Sequence, residues 1–322
     1  MARIVLALGT SHSPLLSTPV EFWKLFAEKD KTDPRVGDFQ KLSREKASWI
    51  GAELTEEKWR ERYEGIQKSL ATLAEICAQV APDAIVTLGD DQREVFTADH
   101  MPALNIYWGE SVVNEPPDVS RIPEWRRAWL WANHPEKTTV YPCEPELGRH
   151  LVESLIAQEF DVTHLRRIPE GRKIGHAFNF IYRRIMNGRI VPQVPVMLNT
   201  YYPPNQPTLK RCYALGKALK KAIESWPGDK TVALVASGGL THFVVDEKLD
   251  RGMLDAMQKK DAKRLLGYPE ELFVHGTSEI RNWVVVAGAM EEDNKKMEII
   301  DYIPCYRTSA GSGVGAAFAV WR

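Results

Sequence analysis

Thr231-Val232-Ala233-Leu234-Val235-Ala236 runs directly into Ser237-Gly238-Gly239-Leu240-Thr241-His242. A short, continuous apolar run that ends abruptly in polar residues reads as a strand buried on both faces of a sheet. Two other runs have the same design. Arg3-Ile4-Val5-Leu6-Ala7-Leu8 leads into Gly9-Thr10-Ser11-His12-Ser13-Pro14, and Ala84-Ile85-Val86-Thr87-Leu88 leads into Gly89-Asp90-Asp91-Gln92. In open α/β sheets, ligands bind outside the carboxyl ends of such strands. His12, Asp90, Asp91, Gln92 and His242 are therefore expected to converge, although they lie far apart in sequence.

Between the strand candidates lie helical patterns. Thr55 precedes Glu56-Glu57 as an N-cap with acidic residues in the first turn. Trp59, Tyr63, Ile66, Leu70, Leu73, Ile76 and Val80 then follow as one apolar stripe, closed by Pro82. This β–loop–α–β crossover predicts parallel pairing of the strands at Arg3 and Ala84. Residues 103–108, 161–165 and 190–198 read as further strands, and 146–160 as a helix. Cys212, Leu215, Leu219, Ile223 and Trp226 make a second helical stripe. The charged segment 28–34 reads as surface loop, and 114–145, rich in Pro, Trp and charge, as a covering loop. The alternation predicts an α/β fold with a mixed, mainly parallel central sheet flanked by helices, in a single domain over residues 1–322.

Composition sets bounds on function. The chain has 322 residues, 44% hydrophobic and 26% charged, with a net charge of −1. That balance offers neither a nucleic-acid footprint nor a polybasic membrane patch. No apolar run approaches the roughly 18 residues of a membrane span. Cys77, Cys143, Cys212 and Cys305 are widely spaced and fit buried thiols of a reducing compartment. The chain opens directly on a strand, with no signal-peptide pattern, so a cytoplasmic protein is expected.

Each polar cluster carries two readings. A lone histidine in a turn such as His12 is ordinarily hydrogen-bonded within its loop. Two histidines at strand ends, His12 and His242, favour a metal site instead. Gly238 and Gly239 would let the backbone turn sharply before His242. Asp90 and Asp91 belong either to a solvated turn or to a crevice where a cation offsets their desolvation. Thr277-Ser278-Glu279 reads as a helix cap before the apolar helix 280–290, or as a carboxylate ligand held by that helix. His176 opens another apolar helix, whose N-terminal end would keep its imidazole neutral. The glycine run Gly311-Ser312-Gly313-Val314-Gly315 lacks the Lys-Ser/Thr of a phosphate loop and reads as a close-packing segment. His100, His134, His150, His164 and His275 read as loop or surface histidines.

Taken in order, these segments resemble the class III extradiol ring-cleavage dioxygenases, the family of the catalytic β subunit of protocatechuate 4,5-dioxygenase. The resemblance covers nearly the whole chain. It rests on Thr10-Ser11-His12-Ser13-Pro14, Gly89-Asp90-Asp91-Gln92, Gly175-His176, Asn199-Thr200-Tyr201-Tyr202-Pro203-Pro204, Ser237-Gly238-Gly239-Leu240-Thr241-His242, Ser278-Glu279 and Ile303-Pro304. Single-chain gallate and 3-O-methylgallate dioxygenases are the most similar subgroup. The resemblance implies a mononuclear Fe(II) bound by two histidines and a glutamate, O2 as co-substrate, and a small catechol-type aromatic acid as substrate. His12 matches the first histidine ligand and Glu279 the glutamate. His242 matches the acid/base histidine, and His176 a second catalytic histidine of the pocket. Ser13, Tyr306 and Arg307 are the implied substrate-binding residues, Arg307 as partner for a ring carboxylate. A homodimer is expected.

The sequence departs from the family pattern at one ligand. Gln92 stands where the second histidine ligand is expected. The metal's third protein ligand is then Gln92, through its amide oxygen, or Asp90, Asp91 or His100 in its place. The departure leaves two rivals open: a non-oxidative, hydrolase-like metal enzyme, and a non-catalytic binding protein on the same fold.

Overall fold

The computed structural model describes all 322 residues. Ten strands occur, β1 (Arg3–Thr10), β2 (Ala84–Asp90), β3 (Leu104–Tyr107), β4 (Ser111–Asn114), β5 (Thr139–Pro142), β6 (Thr163–Leu165), β7 (Gln193–Leu198), β8 (Thr231–Ser237), β9 (Met297–Tyr306) and β10 (Gly313–Trp321). The helices are α1 (Trp23–Asp30), α2 (Phe39–Lys46), α3 (Glu56–Val80), α4 (Glu124–Arg127), α5 (Pro145–Ala157), α6 (His176–Phe180), α7 (Leu209–Ser225), α8 (Glu247–Gln258), α9 (Ala262–Leu265) and α10 (Ile280–Ala289).

Eight strands form one sheet in the order β6-β3-β7-β2-β8-β1-β10-β9, and β4-β5 form a separate hairpin-like pair. The central four, β7, β2, β8 and β1, are parallel, whereas β10 and β9 add antiparallel at one side. The expected mixed, mainly parallel sheet is thus present. The expected direct pairing of β1 with β2 is not. β8 inserts between them, with Leu8 opposite Val235 and Ile85 opposite Ala233. A crossover fixes the relative direction of two strands but not their adjacency.

This insertion positions the site. The ends of β1 and β8 stand side by side at Thr10 and Ser237, and β2 ends at Asp90 on the other side of β8. The strands alternate between two cores. Val232, Leu234 and Ala236 pack with α5, α7, α8 and α10, while Ala233 and Val235 pack with α1, α3 and α6. α3 is capped by the Thr55 side chain, which accepts from the Lys58 amide, and its stripe is buried from Trp59 to Ile76 except for the half-buried Tyr63. α10 is buried along its whole length, so Glu279, at its start, is held rigidly.

Two segments depart from the sequence reading. Residues 28–34 are not a loop throughout. They include the end of α1, and Asp30 and Asp33 are buried. The covering region 114–145 contains α4 and β5. The glycine run does serve close packing, as the start of β10. All four cysteines are free and buried, and no helix is long and apolar enough to cross a membrane.

Candidate metal centre

The three strand ends and the start of α10 bring His12, Asp90 and Glu279 together. One ligand atom from each lies within 4.8 Å of the other two, and all three residues are buried. His12 Nδ1 is 3.0 Å from Ser237 Oγ, and that hydroxyl donates at 2.7 Å to the Ala177 carbonyl. Its hydrogen being committed, Ser237 accepts from His12, so the proton of His12 sits on Nδ1. The lone pair of Nε2 therefore faces the carboxylates. It lies 3.6 Å from Glu279 Oε2 and has no hydrogen-bond partner.

Neither oxygen of Asp90 has a partner either. Burial, and then the Glu279 charge, raise the Asp90 pKa above the usual carboxylate range. Burial lowers His12 to about 4, against a smaller opposing pull from Glu279. Glu279 is depressed despite burial, because His242 and His12 favour its charge and the Gly239 amide donates to its Oε2 at 2.7 Å. A neutral imidazole nitrogen and two buried carboxylates facing one another form an arrangement that a divalent cation satisfies. The residues fit a metal, with one nitrogen and two oxygen donors.

Gln92 also faces the cluster, with the nitrogen of its amide turned toward the carboxylates. Its Nε2 donates to Glu279 Oε1 at 3.2 Å, since carboxylates attract the donor side of an amide. Asp91 turns away: its two oxygens accept from the amides of Val95 and Phe96 at 2.8 and 3.1 Å. Successive residues at a strand end point oppositely, so Asp90 faces the site and Asp91 closes the following turn. His100 is exposed, 6.4 Å from the Phe96 ring, and does not reach the cluster.

His242 stands beside the cluster. Its Nδ1 is 2.9 Å from the Leu240 carbonyl and its Nε2 is 3.4 Å from Glu279 Oε1. Burial lowers its pKa, but the Glu279 charge and hydrogen bond outweigh that and raise it overall. The backbone of His242 is clamped by Thr277, whose Oγ1 accepts from the His242 amide at 3.1 Å and donates to its carbonyl at 2.9 Å. Thr277 is therefore not the helix cap that its sequence suggests, and α10 begins without a side-chain cap. Gly276 is needed here, because a Cβ on it would meet the His242 ring at 2.0 Å. Gly238 and Gly239 also act through close approach. Neither has a positive φ, and a Cβ on Gly238 would press on Glu279 and Asn282.

His176 opens α6 as expected, but it is not left neutral. Glu94 Oε1 accepts from both its amide and its Nδ1, at 2.8 and 2.7 Å. Burial opposes the charge, yet Glu94 prevails and pushes His176 up to about 10. The imidazolium sits edge-on to His12, with ring centroids 4.7 Å apart.

His12, Gln92, Glu94, His176, His242 and Glu279 line a cavity of about 410 Å³ that also includes Ser13, Phe26, Lys29, Asp30, Arg35, Arg126, Trp129, His134, Tyr201, Phe243 and Arg307. A larger depression of about 680 Å³ runs along the outer face of α3, but no hydrophobic residue lines it. Ser13 and Arg307 reach the candidate pocket; Tyr306 does not. Its hydroxyl donates to Glu247 at 2.8 Å and its ring packs against Trp49. Sequence reasoning passed over Glu94, Ser237, Lys29, Arg35 and Arg126, and it read His134 as a loop residue.

The sequence model of the family described as the catalytic LigB subunit of aromatic ring-opening dioxygenase matches residues 48–318. The chain belongs to that family. The matched part contains Asp90, Gln92, His176, His242 and Glu279, with His12 upstream of it. A gallate dioxygenase of Pseudomonas putida is 31% identical over 172 residues, covering 49% of each chain. A 2,3-dihydroxyphenylpropionate/2,3-dihydroxicinnamic acid 1,2-dioxygenase of Comamonas testosteroni is 25% identical over 182 residues, covering 55% of this chain and 48% of that one. The alignments thus span about half the length of these curated relatives.

Proposed function

We propose that the chain is an Fe(II)-dependent extradiol dioxygenase that opens the ring of a catechol-type aromatic acid with O2, of the gallate, 3-O-methylgallate or protocatechuate kind. The observation that carries this reading is the partnerless Nε2 of His12 facing two buried carboxylates, directly beside His242. Membership of a family of ring-opening dioxygenases, and two relatives named for aromatic acids, support it.

His12, Asp90 and Glu279 would hold the metal. When bound, ferrous iron supplies a Lewis-acid and redox centre at which a diol and O2 can both bind. The other groups handle protons and charge. His242 keeps its Nδ1 proton on the Leu240 carbonyl, so Nε2 is the nitrogen that exchanges protons; with Glu279 committed to a cation, Nε2 is released to take a phenolic proton and return it later. His176, cationic through Glu94, offers its remaining N–H to negative charge that develops on the substrate. Glu94 Oε1 fixes that ring's orientation through the hydrogen bond from Nδ1 and holds the residue's backbone amide as well, as an outer-shell partner does.

The glutamine in place of a histidine supports one other reading, a non-oxidative, hydrolase-like metal enzyme, because one histidine with two carboxylates also suits metal-assisted hydrolysis. One assay separates the two. Anaerobically Fe(II)-loaded protein, mixed with a panel of aromatic diols, should consume O2 in step with the appearance of ring-opened product. Turnover that proceeds without O2 would favour the hydrolase.

A further inference from the structure

The pocket has two chemically different ends. His12 and Glu279 lie buried at its floor, with Asp90 against them in the cluster, whereas Lys29, Arg35 and Arg126 line its solvent-facing part, with Lys29 52% exposed at its side chain. Arg307 also lines the pocket, but it is already paired. Its Nε and Nη2 lie 2.9 and 2.8 Å from Asp30 Oδ2, with both residues buried. Arg35 is held by Asp33, its Nε at 2.8 Å and its Nη2 at 2.5 Å. Lys29 comes only within 4.0 Å of the same Asp33 oxygen that Arg35 occupies. Arg126 rests near Trp125 and forms no ion pair. Lys29 and Arg35 thus share one carboxylate, and Arg126 beside them has none. Partial burial and the charges of Arg35 and Arg126 lower the Lys29 pKa, so the crowding is felt. Uncompensated like charges on one side of a concave wall are a destabilising arrangement that an arriving anion relieves.

We propose that Lys29 and Arg126, with Arg35 behind them, form an anion subsite for a substrate whose carboxylate is carried on a side chain or second ring, away from the diol-bearing ring. Two features place that anion at a distance from the diol. The diol end is buried, whereas Lys29 and Arg126 are exposed. The cavity, about 410 Å³, also lies in the range of roughly 300–1,000 Å³ that holds ligands well beyond a single ring. Phe243 links the two ends: it follows His242 in the chain, and its ring lies 3.7 Å beneath the Arg35 guanidinium. That wall suits a hydrocarbon or aryl spacer. The buried Arg307–Asp30 pair is excluded as the main partner, because its charges are mutually satisfied. The inference rests on the ring-cleavage reading for the diol end alone, and replaces the ring-attached carboxylate of a gallate-type acid with one set off from the ring.

The test is a binding measurement, so it stays separate from turnover. Fe(II)-loaded protein under argon is titrated calorimetrically with 3-(2,3-dihydroxyphenyl)propanoate, its methyl ester, and 3,4-dihydroxybenzoate. The propanoate should bind about tenfold or more tighter than the ester, and added salt should shrink that preference. The double variant Lys29→Ala/Arg126→Ala should erase the preference while leaving ester affinity and iron content unchanged. Equal binding of acid and ester overturns the proposal. So does an equal gain from Lys29 and Arg126 for the ring-attached carboxylate, or an equal loss of both ligands in the variant. Absence of O2 uptake, with the charge preference intact, would instead sink the ring-cleavage reading and leave the subsite standing.

Discussion

His12 Nδ1 lies 3.0 Å from Ser237 Oγ, and this contact decides which nitrogen of His12 faces the cluster. The serine cannot donate in return, because its hydrogen goes to the Ala177 carbonyl. Ser237→Ala should release the ring and its tautomer. Metal affinity should then fall about 10–100-fold, as is typical for loss of an outer-shell partner. Competition against a chelator measures this, and unchanged affinity would show that Ser237 does not orient His12.

Asp90 and Gln92 make opposite predictions. Asp90 offers two buried oxygens without partners, whereas Gln92 turns its amide nitrogen to Glu279. Asp90→Asn should weaken Fe(II) or Mn(II) binding by more than the roughly 10–100-fold of an outer-shell change. Gln92→Ala should cost less, since it removes one hydrogen bond to Glu279. If metal titrations showed the reverse order, the third donor would be Gln92 after all.

His242 is placed for proton transfer, with Nδ1 on the Leu240 carbonyl and Nε2 3.4 Å from Glu279. His242→Ala should retain stoichiometric metal and diol binding but lose turnover by about 10²–10⁴-fold. Loss of metal in proportion to activity would make His242 a ligand instead.

The pH dependence has a definite sign. Burial and Glu279 raise the pKa of Asp90. An acid raised on folding contributes stability below its unfolded pKa, and that contribution is lost as pH rises through the folded value. The metal-free protein should therefore lose stability as Asp90 ionises, and a cation should restore it by replacing the proton. The gain in Tm on adding Mn(II) should grow from about pH 6 to about pH 8. A gain that shrinks over this range contradicts the assignment of Asp90.

The legible parts of the site were those that announce themselves locally. The apolar runs of β1, β2 and β8 break off at His12, Asp90 and Ser237–His242, so the strand ends and their convergence could be read directly. Glu279 was different. Its neighbours read as a helix cap, and only the family resemblance raised it to a ligand. Side-chain direction at the strand ends was not legible. β2 is buried on both faces and shows no polar–apolar alternation, so nothing separated Asp90 from Asp91. The long-range pairs were hidden as well. Asp30 meets Arg307 across 277 positions and Glu94 meets His176 across 82. Without those partners, the segment at 28–34 looked like solvent-exposed loop and His176 looked neutral.

The most direct test of the central claim is the fate of the oxygen atoms. Protein reconstituted with Fe(II) is given an aromatic diol acid under isotopically heavy O2, and the product is analysed promptly by mass spectrometry. The account predicts a ring-opened product with both heavy atoms incorporated and one O2 consumed per ring. Product that carries oxygen from water alone, or no turnover by protein shown to hold one iron on His12, Asp90 and Glu279, would contradict it.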